Sequence, residues 1–235
     1  MRTTFVRQTL PRRGVRSWWG KAWQRAVEEA AYSDAELRPG RASARRGDVG
    51  GISVDAGTLL AAVRAGDDAW TVEVVVPTLE AGARRALVDV VAAESGRIAE
   101  LLAGNLPHDF VEHVEEVGVE LLPYGGEFSA TCTCPHYLDP CAHALAVLLQ
   151  VGWLVDADPL VLFALRGLDR ESLLSELHER DTERDARDPA RGGSVEERPT
   201  AELADDVEIV VDAAMRAQRA LELFESGEDL PEGLV

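Results

Sequence analysis

The chain has 235 residues, of which 46% are hydrophobic, so it is long and apolar enough for one sizeable globular core with an appendage. Its net charge of −18 repels nucleic acid over most of the surface. The charge is uneven, because residues 1–46 carry eleven basic and four acidic residues whereas residues 169–235 carry eight and twenty. Contacts to phosphate are therefore expected only from the first 46 residues.

Membrane and secreted classes are disfavoured by the same sequence. The longest nearly apolar run, residues 144–155, is too short to cross a bilayer, which takes about 20 residues. No signal sequence opens the chain, and three cysteines are an odd number for a disulfide framework. We therefore expect a cytoplasmic protein without membrane contact, and clustered cysteines in the cytosol more often bind metal than form cross-links.

The N-terminal third begins with a basic arm, residues 1–16. A helix is predicted over residues 17–31, because Trp19, Trp23 and Val27 recur every four residues and Ser17 is a suitable N-cap. Residues 38–51 are rich in arginine and contain glycine, and we predict a loop there.

The middle of the chain combines strands and helices. Alternating apolar residues over 52–54, 59–63 and 70–76, with turns between them, predict three antiparallel strands with one buried face. Helices are predicted over 83–103, with a break at Ser95-Gly96, and over 107–117, and a short strand over 127–132. Two more helices are predicted, one that stops near Gly152 and one over residues 170–177. This order indicates an α+β fold, a small antiparallel sheet packed with helices.

The C-terminal part is polar and acidic. Residues 178–200 are charged and contain proline and glycine, which is typical of a linker. An acidic helical segment is predicted over 201–235, with an amphipathic helix over 201–224. The predicted organisation is thus an arm, an α+β domain over 17–177, a linker and a helical appendage.

All three cysteines lie within ten positions, and with a histidine they form the pattern C-x-C-x6-C-x-H: Cys132, Cys134, Cys141 and His143. Cys132 and Cys134 point to one face of an extended segment. In a regular helix Cys141 and His143 would lie about 200° apart, so the following helix is expected to begin at or after Cys141. Four such donors predict one structural zinc ion with no open coordination position.

Two alternatives compete with this assignment. His136 is a competing imidazole, but it would crowd its neighbour Cys134, so His143 is favoured as the fourth ligand. The thiols alone would also suit a redox-active or merely buried set. We favour zinc, because three thiols and a histidine rarely coincide in twelve residues by chance.

The cysteine pattern resembles the SWIM zinc finger, with the finger over about residues 119–153. The resemblance extends to Trp18-Trp19-Gly20-Lys21-x-Trp23 and to Asp158-Pro159, Phe163 and Leu165-Arg166-Gly167, so it covers about residues 15–177. It implies zinc binding and contacts to DNA or protein, and in bacteria an association with Swi/Snf-type helicase-like ATPases. The family often has a basic residue where this chain has Ala142, which weakens contact of the finger with phosphate.

Candidate nucleic-acid contacts are the basic residues beside the N-terminal tryptophans: Arg12, Arg13, Arg16 and Lys21. The tryptophans Trp18, Trp19 and Trp23 would then stack on bases of a single strand. The favoured alternative is that they pack the first helix onto the sheet. His108 and His113, which lie among acidic residues, suggest a second metal site or, more simply, the hydrated face of a helix.

Two classes of function follow. The leading hypothesis is a non-enzymatic module that contacts a protein partner, DNA or both, and that serves a helicase-like ATPase. The alternative is an enzyme, a hydrolase or a nuclease accessory, with an unrecognised active site, and it requires a cleft with strongly perturbed titratable groups.

Overall fold

The computed structural model describes residues 2–11, 14–94 and 96–187. Arg12 and Arg13 of the predicted nucleic-acid contacts therefore lie outside the described residues. So do the predicted acidic segment 201–235 and residues 188–200 of the predicted linker. Residues up to Glu179 form one compact unit, and a second unit begins at Arg180.

The described residues form five strands and eight α-helices. In chain order these are β1 (Thr3–Phe5), α1 (Trp18–Ala30), α2 (Asp34–Arg46), β2 (Val49–Asp55), β3 (Thr58–Ala65), β4 (Asp68–Val75), α3 (Ala81–Ala93), α4 (Arg97–Leu102), α5 (His108–Glu116), β5 (Ser129–Cys132), α6 (Ala142–Ala157), α7 (Leu160–Leu165) and α8 (Arg170–Arg187). A 3-10 turn, Gly125–Glu127, precedes β5.

The strands form one antiparallel sheet in the order β1-β2-β3-β4-β5. The predicted alternation holds in β4, where Val72 and Val74 are buried and Thr71 and Glu73 are exposed. The α+β fold and the antiparallel sheet are thereby confirmed. The first residues were predicted as an arm, but Thr3–Phe5 pairs with β2 at one edge, and a three-residue strand is too short to show an alternating pattern.

The helix α1 begins where its sequence predicts, because the Ser17 hydroxyl accepts a 3.0 Å hydrogen bond from the Gly20 amide. Trp23 is fully buried and Trp19 nearly so. Both indole N–H groups donate to backbone carbonyls of α6, Trp23 to Leu148 and Trp19 to Val155. These tryptophans belong to the core and do not form a stacking platform for bases.

The loop predicted over 38–51 is wrong, because residues 34–46 form α2 and β2 starts at Val49. Gly40, which suggested a loop, lies against α6. A Cβ atom added to it would meet the Cβ of Leu145 at 2.9 Å, so the glycine allows the two helices to pack closely. The helix ends at Gly47, whose φ of 71° is the left-handed conformation usual after a helix.

Two other helix boundaries differ from the prediction. The helix α6 passes through Gly152 and ends at Ala157, because this glycine leaves room for the ring of Trp23 rather than stopping the helix. The helix α8 continues to Arg187, beyond the predicted end at residue 177, so the described part of the predicted linker is helical. The short helix α7 was not predicted.

The central element of the first unit is α6. Residues 144–151 of this helix are all buried, and it packs against α1, α2 and the sheet. Its N-terminal end lies next to the cysteines, so the core positions one half of the predicted metal site. No helix among the described residues is long and apolar enough to span a bilayer.

Candidate metal centre

The four predicted ligands come from two elements and the loop between them. Cys132 is the last residue of β5, where it pairs with Val72 of β4, and Cys134 follows two residues later. Cys141 is the N-cap of α6, and His143 is the second residue of that helix. The helix therefore begins directly after Cys141, as the geometry of the C-x-H pair required.

The donor atoms form one tight group. The Sγ of Cys132 lies 3.9 Å from Nδ1 of His143, and the Sγ atoms of Cys134 and Cys141 are 3.8 Å apart. All four donors lie within 4.8 Å of one another. Two thiolates on a tetrahedral zinc ion, with bonds of about 2.3 Å, are about 3.8 Å apart, so the donor set fits this ion.

Burial changes the pKa values of the donor groups in the site. Burial, together with the neighbouring cysteines, raises the pKa of Cys132 to about 12, and burial also raises the pKa of Cys141. Burial lowers the pKa of His143, which keeps its imidazole neutral and able to bind metal. A divalent ion supplies the charge that stabilises clustered thiolates in such a place. The three cysteines and His143 thus form a structural zinc site.

His136, the competing imidazole, lies outside the donor group. Its Nε2 is 3.9 Å from a carboxylate oxygen of Glu36, and its ring stacks on Tyr137 at 5.5 Å. The metal-ligand cluster found among the described residues contains His143 instead.

Hydrogen bonds hold the loop between the cysteines onto the sheet. The amide of Thr133 donates to the Thr71 carbonyl at 3.0 Å, and the Thr71 amide donates to the Thr133 hydroxyl at 2.9 Å. The amide of Ala130 in β5 donates to the Asp139 carboxylate at 2.7 Å. The loop is therefore attached to the edge of the sheet at both ends of its course.

The described basic candidates, Arg16 and Lys21, are exposed but lie away from the zinc site. The amides of Arg16 and Ser17 donate to Asp156, near the C-terminal end of α6, whereas the zinc ligands lie at its N-terminal end. The sixteen residues of α6 span about 24 Å. The structure thus does not bring these basic residues and the finger together.

Two arginines that sequence reasoning passed over lie close to the zinc site instead. A cavity of about 380 Å³ is lined by His143, Arg46, Arg64 and Asp48, among others. Both arginines pair with Asp48. Burial raises the pKa of Asp48, but hydrogen bonds from Arg46 and Ser43 outweigh burial and hold the pKa below its usual value. Arg46 was assigned to a loop, and nothing local in the sequence connects Arg64 with it.

The second metal site considered at His108 and His113 does not form among the described residues. The Nδ1 atom of His108 lies 3.3 Å from Glu112 on α5, and Nδ1 of His113 accepts a hydrogen bond from Arg97 at 2.9 Å. Both histidines therefore have partners within the fold.

Comparison with known proteins bears on the same segment. Residues 116–152 match the family model of the SWIM zinc finger. Over 166 residues the chain is 30% identical to the uncharacterized protein Rv2102 of Mycobacterium tuberculosis. The aligned region covers 69% of this chain and 59% of that relative. The chain thus spans about three fifths of the relative's length. No solved structure matches the chain.

Proposed function

We propose that this chain, which carries a SWIM zinc finger, is a non-enzymatic module whose zinc-stabilised surface contacts a protein partner or DNA. The observation that carries the proposal is the closed set of four protein donors around one point. Such a site leaves no position for a substrate or a water molecule, so its zinc ion shapes the fold rather than performing catalysis.

The zinc ion would act as a cross-link between two elements. It joins Cys132 at the end of β5 to Cys141 and His143 at the start of α6, and it fixes the loop that Cys134 begins. Because α6 is anchored in the core, the loop receives a rigid base. A rigid loop on a sheet edge is suited to present residues to another molecule at small cost in entropy.

A Swi/Snf-type helicase-like ATPase is the partner we propose, on the basis of the SWIM finger and the absence of catalytic motifs from the sequence. The proposed location is the cytoplasm, which suits three unpaired cysteines. DNA is the other class of contact. Two sets of basic residues support contact with DNA. Arg46 and Arg64 lie beside His143 near the zinc site, and Arg16 and Lys21 lie near the other end of α6.

Co-purification tests this proposal. The tagged full-length chain is co-expressed with the Swi/Snf-type ATPase of its source organism, and the complex is quantified by mass spectrometry. We expect Cys134→Ser, which removes a zinc ligand, to abolish capture, and Glu112→Gln on the distant helix α5 to leave it unchanged. DNA binding is measured in parallel by fluorescence anisotropy of a duplex, and should weaken steeply with salt.

Failure of the zinc-loaded wild-type chain to bind either the ATPase or DNA would refute the proposal. Turnover of ester, glycoside or nucleic-acid substrates by the pure protein would favour the enzyme hypothesis. Equal capture by the wild type and by Cys134→Ser would show that the finger is not the contact.

A further inference from the structure

All three tyrosines of the chain are exposed. The exposed fraction is 90% for Tyr137, 79% for Tyr32 and 57% for Tyr124. Tyr137 lies in the zinc-finger loop and stacks on the ring of His136, with 7° between the two planes. The pair thus presents flat aromatic surface next to the zinc site.

Contacts between elements bring together the segments that carry the three tyrosines. Glu36, in the first turn of α2, lies 3.9 Å from His136. Tyr32 lies four residues earlier, in the short connection between α1 and α2. A Cβ on Gly125, the neighbour of Tyr124, would lie 2.8 Å from Glu29, which precedes that connection. We call this region the tyrosine patch, and it consists of Tyr32, Tyr124, His136, Tyr137, Glu29 and Glu36.

The segments that carry the tyrosine patch are acidic in sequence, although Glu127 pairs with Arg166 in the fold. Residues 116–152, the zinc finger, contain four acidic residues and no lysine or arginine. Residues 28–36 contain four acidic residues and again no lysine or arginine. Of these, Glu28 pairs with Arg41, while Glu29 and Asp34 are exposed. A phosphate backbone would be repelled here, whereas a cation would be attracted.

We propose that the tyrosine patch binds a protein segment rich in arginine and lysine. A guanidinium or ammonium group stacks on the face of a tyrosine ring, and nearby carboxylates pair with its charge. This inference rests on the proposed function, because it names the class of partner that the finger contacts. It assigns protein to this side of the finger and leaves DNA to the arginines near His143.

A labelled peptide of alternating arginine and glycine provides the test, with a glutamine–glycine peptide as the neutral probe. Binding to the zinc-loaded full-length chain is measured by anisotropy at near-physiological salt. We expect the arginine peptide to bind and the glutamine peptide not to bind. Glu36→Gln and Tyr137→Ala should each weaken binding about fivefold, the loss of one charge pair or one cation–π contact.

The matched controls separate this patch from general attraction to an acidic protein. Glu112→Gln removes the same charge from the exposed face of α5, and Val117→Ala trims another exposed apolar side chain. Both should bind the arginine peptide like the wild type. Zinc content and circular dichroism of each variant confirm that the fold is retained.

Three results would overturn the inference. The first is no binding of the arginine peptide, and the second is equal weakening of its binding by Glu36→Gln and Glu112→Gln. The third is displacement of the peptide by a single-stranded oligonucleotide whose own binding requires Tyr137. If the peptide fails while capture of the ATPase still requires Cys134, the cationic partner is wrong and the proposed function stands. If that capture is lost as well, both fail.

Discussion

His143 and His136 differ in what surrounds them rather than in their distance along the chain from the cysteines. His143 is held at the first turn of α6, and its Nδ1 lies beside the Sγ of Cys132. His136 lies in the exposed loop, where it meets Glu36 and Tyr137. A ligand held by a buried helix needs little ordering to bind metal, and this explains the choice of histidine.

His143→Ala should therefore lower bound zinc well below a full equivalent, because three thiolates leave the coordination sphere incomplete. His136→Ala should retain the metal. Elemental analysis of the purified, untagged proteins measures both. Loss of zinc from His136→Ala with retention in His143→Ala would reverse the assignment of the fourth ligand.

At the scale of the elements, the close packing of α2 on α6 fixes the N-terminal turn of α6, which carries His143. Gly40 is the point of closest approach, since a Cβ there would lie 2.9 Å from Leu145 and 3.0 Å from the carbonyl oxygen of Ala142, the first residue of α6. The backbone at this place cannot move aside as a flexible side chain would. The position of the His143 turn thus depends on a glycine far away in sequence.

Gly40→Ala is expected to destabilise the fold by about 2 kcal/mol, because the added methyl group forces the two helices apart. Gly82→Ala is the control, since Gly82 also lies in a helix but has nothing within 4 Å of an added Cβ. That change should stabilise the protein by about 0.5 kcal/mol. Urea unfolding of both variants gives the free energies, and an unaltered stability for Gly40→Ala would contradict the packing described.

At this scale, the sequence predicts the features that local interactions determine and misses those that depend on contacts between distant residues. The strands around Val54, Val63 and Val74 were predictable because alternation is local. The zinc ligands were predictable because they are close in sequence. The helix α2 was missed because the role of Gly40, which allows close packing on α6, is visible only in the fold. Arg46 and Arg64 were missed because only the fold brings them near His143.

At the scale of the whole molecule, most of the buried apolar side chains lie outside the zinc finger. Trp23, Phe110 and Phe163 are fully buried, and none of them contacts the zinc ligands in the ring pairs that the structure records. The core of more than forty buried apolar residues is ample for a unit of this size. We therefore expect much of the core to retain its fold when the metal is removed.

Chelation of the zinc should increase hydrogen exchange in residues 128–143 and leave the protection of β2, β3 and the later turns of α6 unchanged. The reason is that structural zinc contributes folding free energy to the loop it closes, while the core retains its buried contacts. Hydrogen exchange followed by mass spectrometry resolves these segments. Loss of protection throughout residues 2–179 would show that the core needs the metal.

The position of β5 has one more consequence. It is the last strand of the sheet, and its outward amide at Ala130 is satisfied by Asp139 of the zinc-bound loop. A bare strand edge is a template on which other copies can add strands and aggregate. The metal thus also shields this border, and under zinc starvation the same chain would expose it, an outcome that light scattering of the chelated protein would register as self-association.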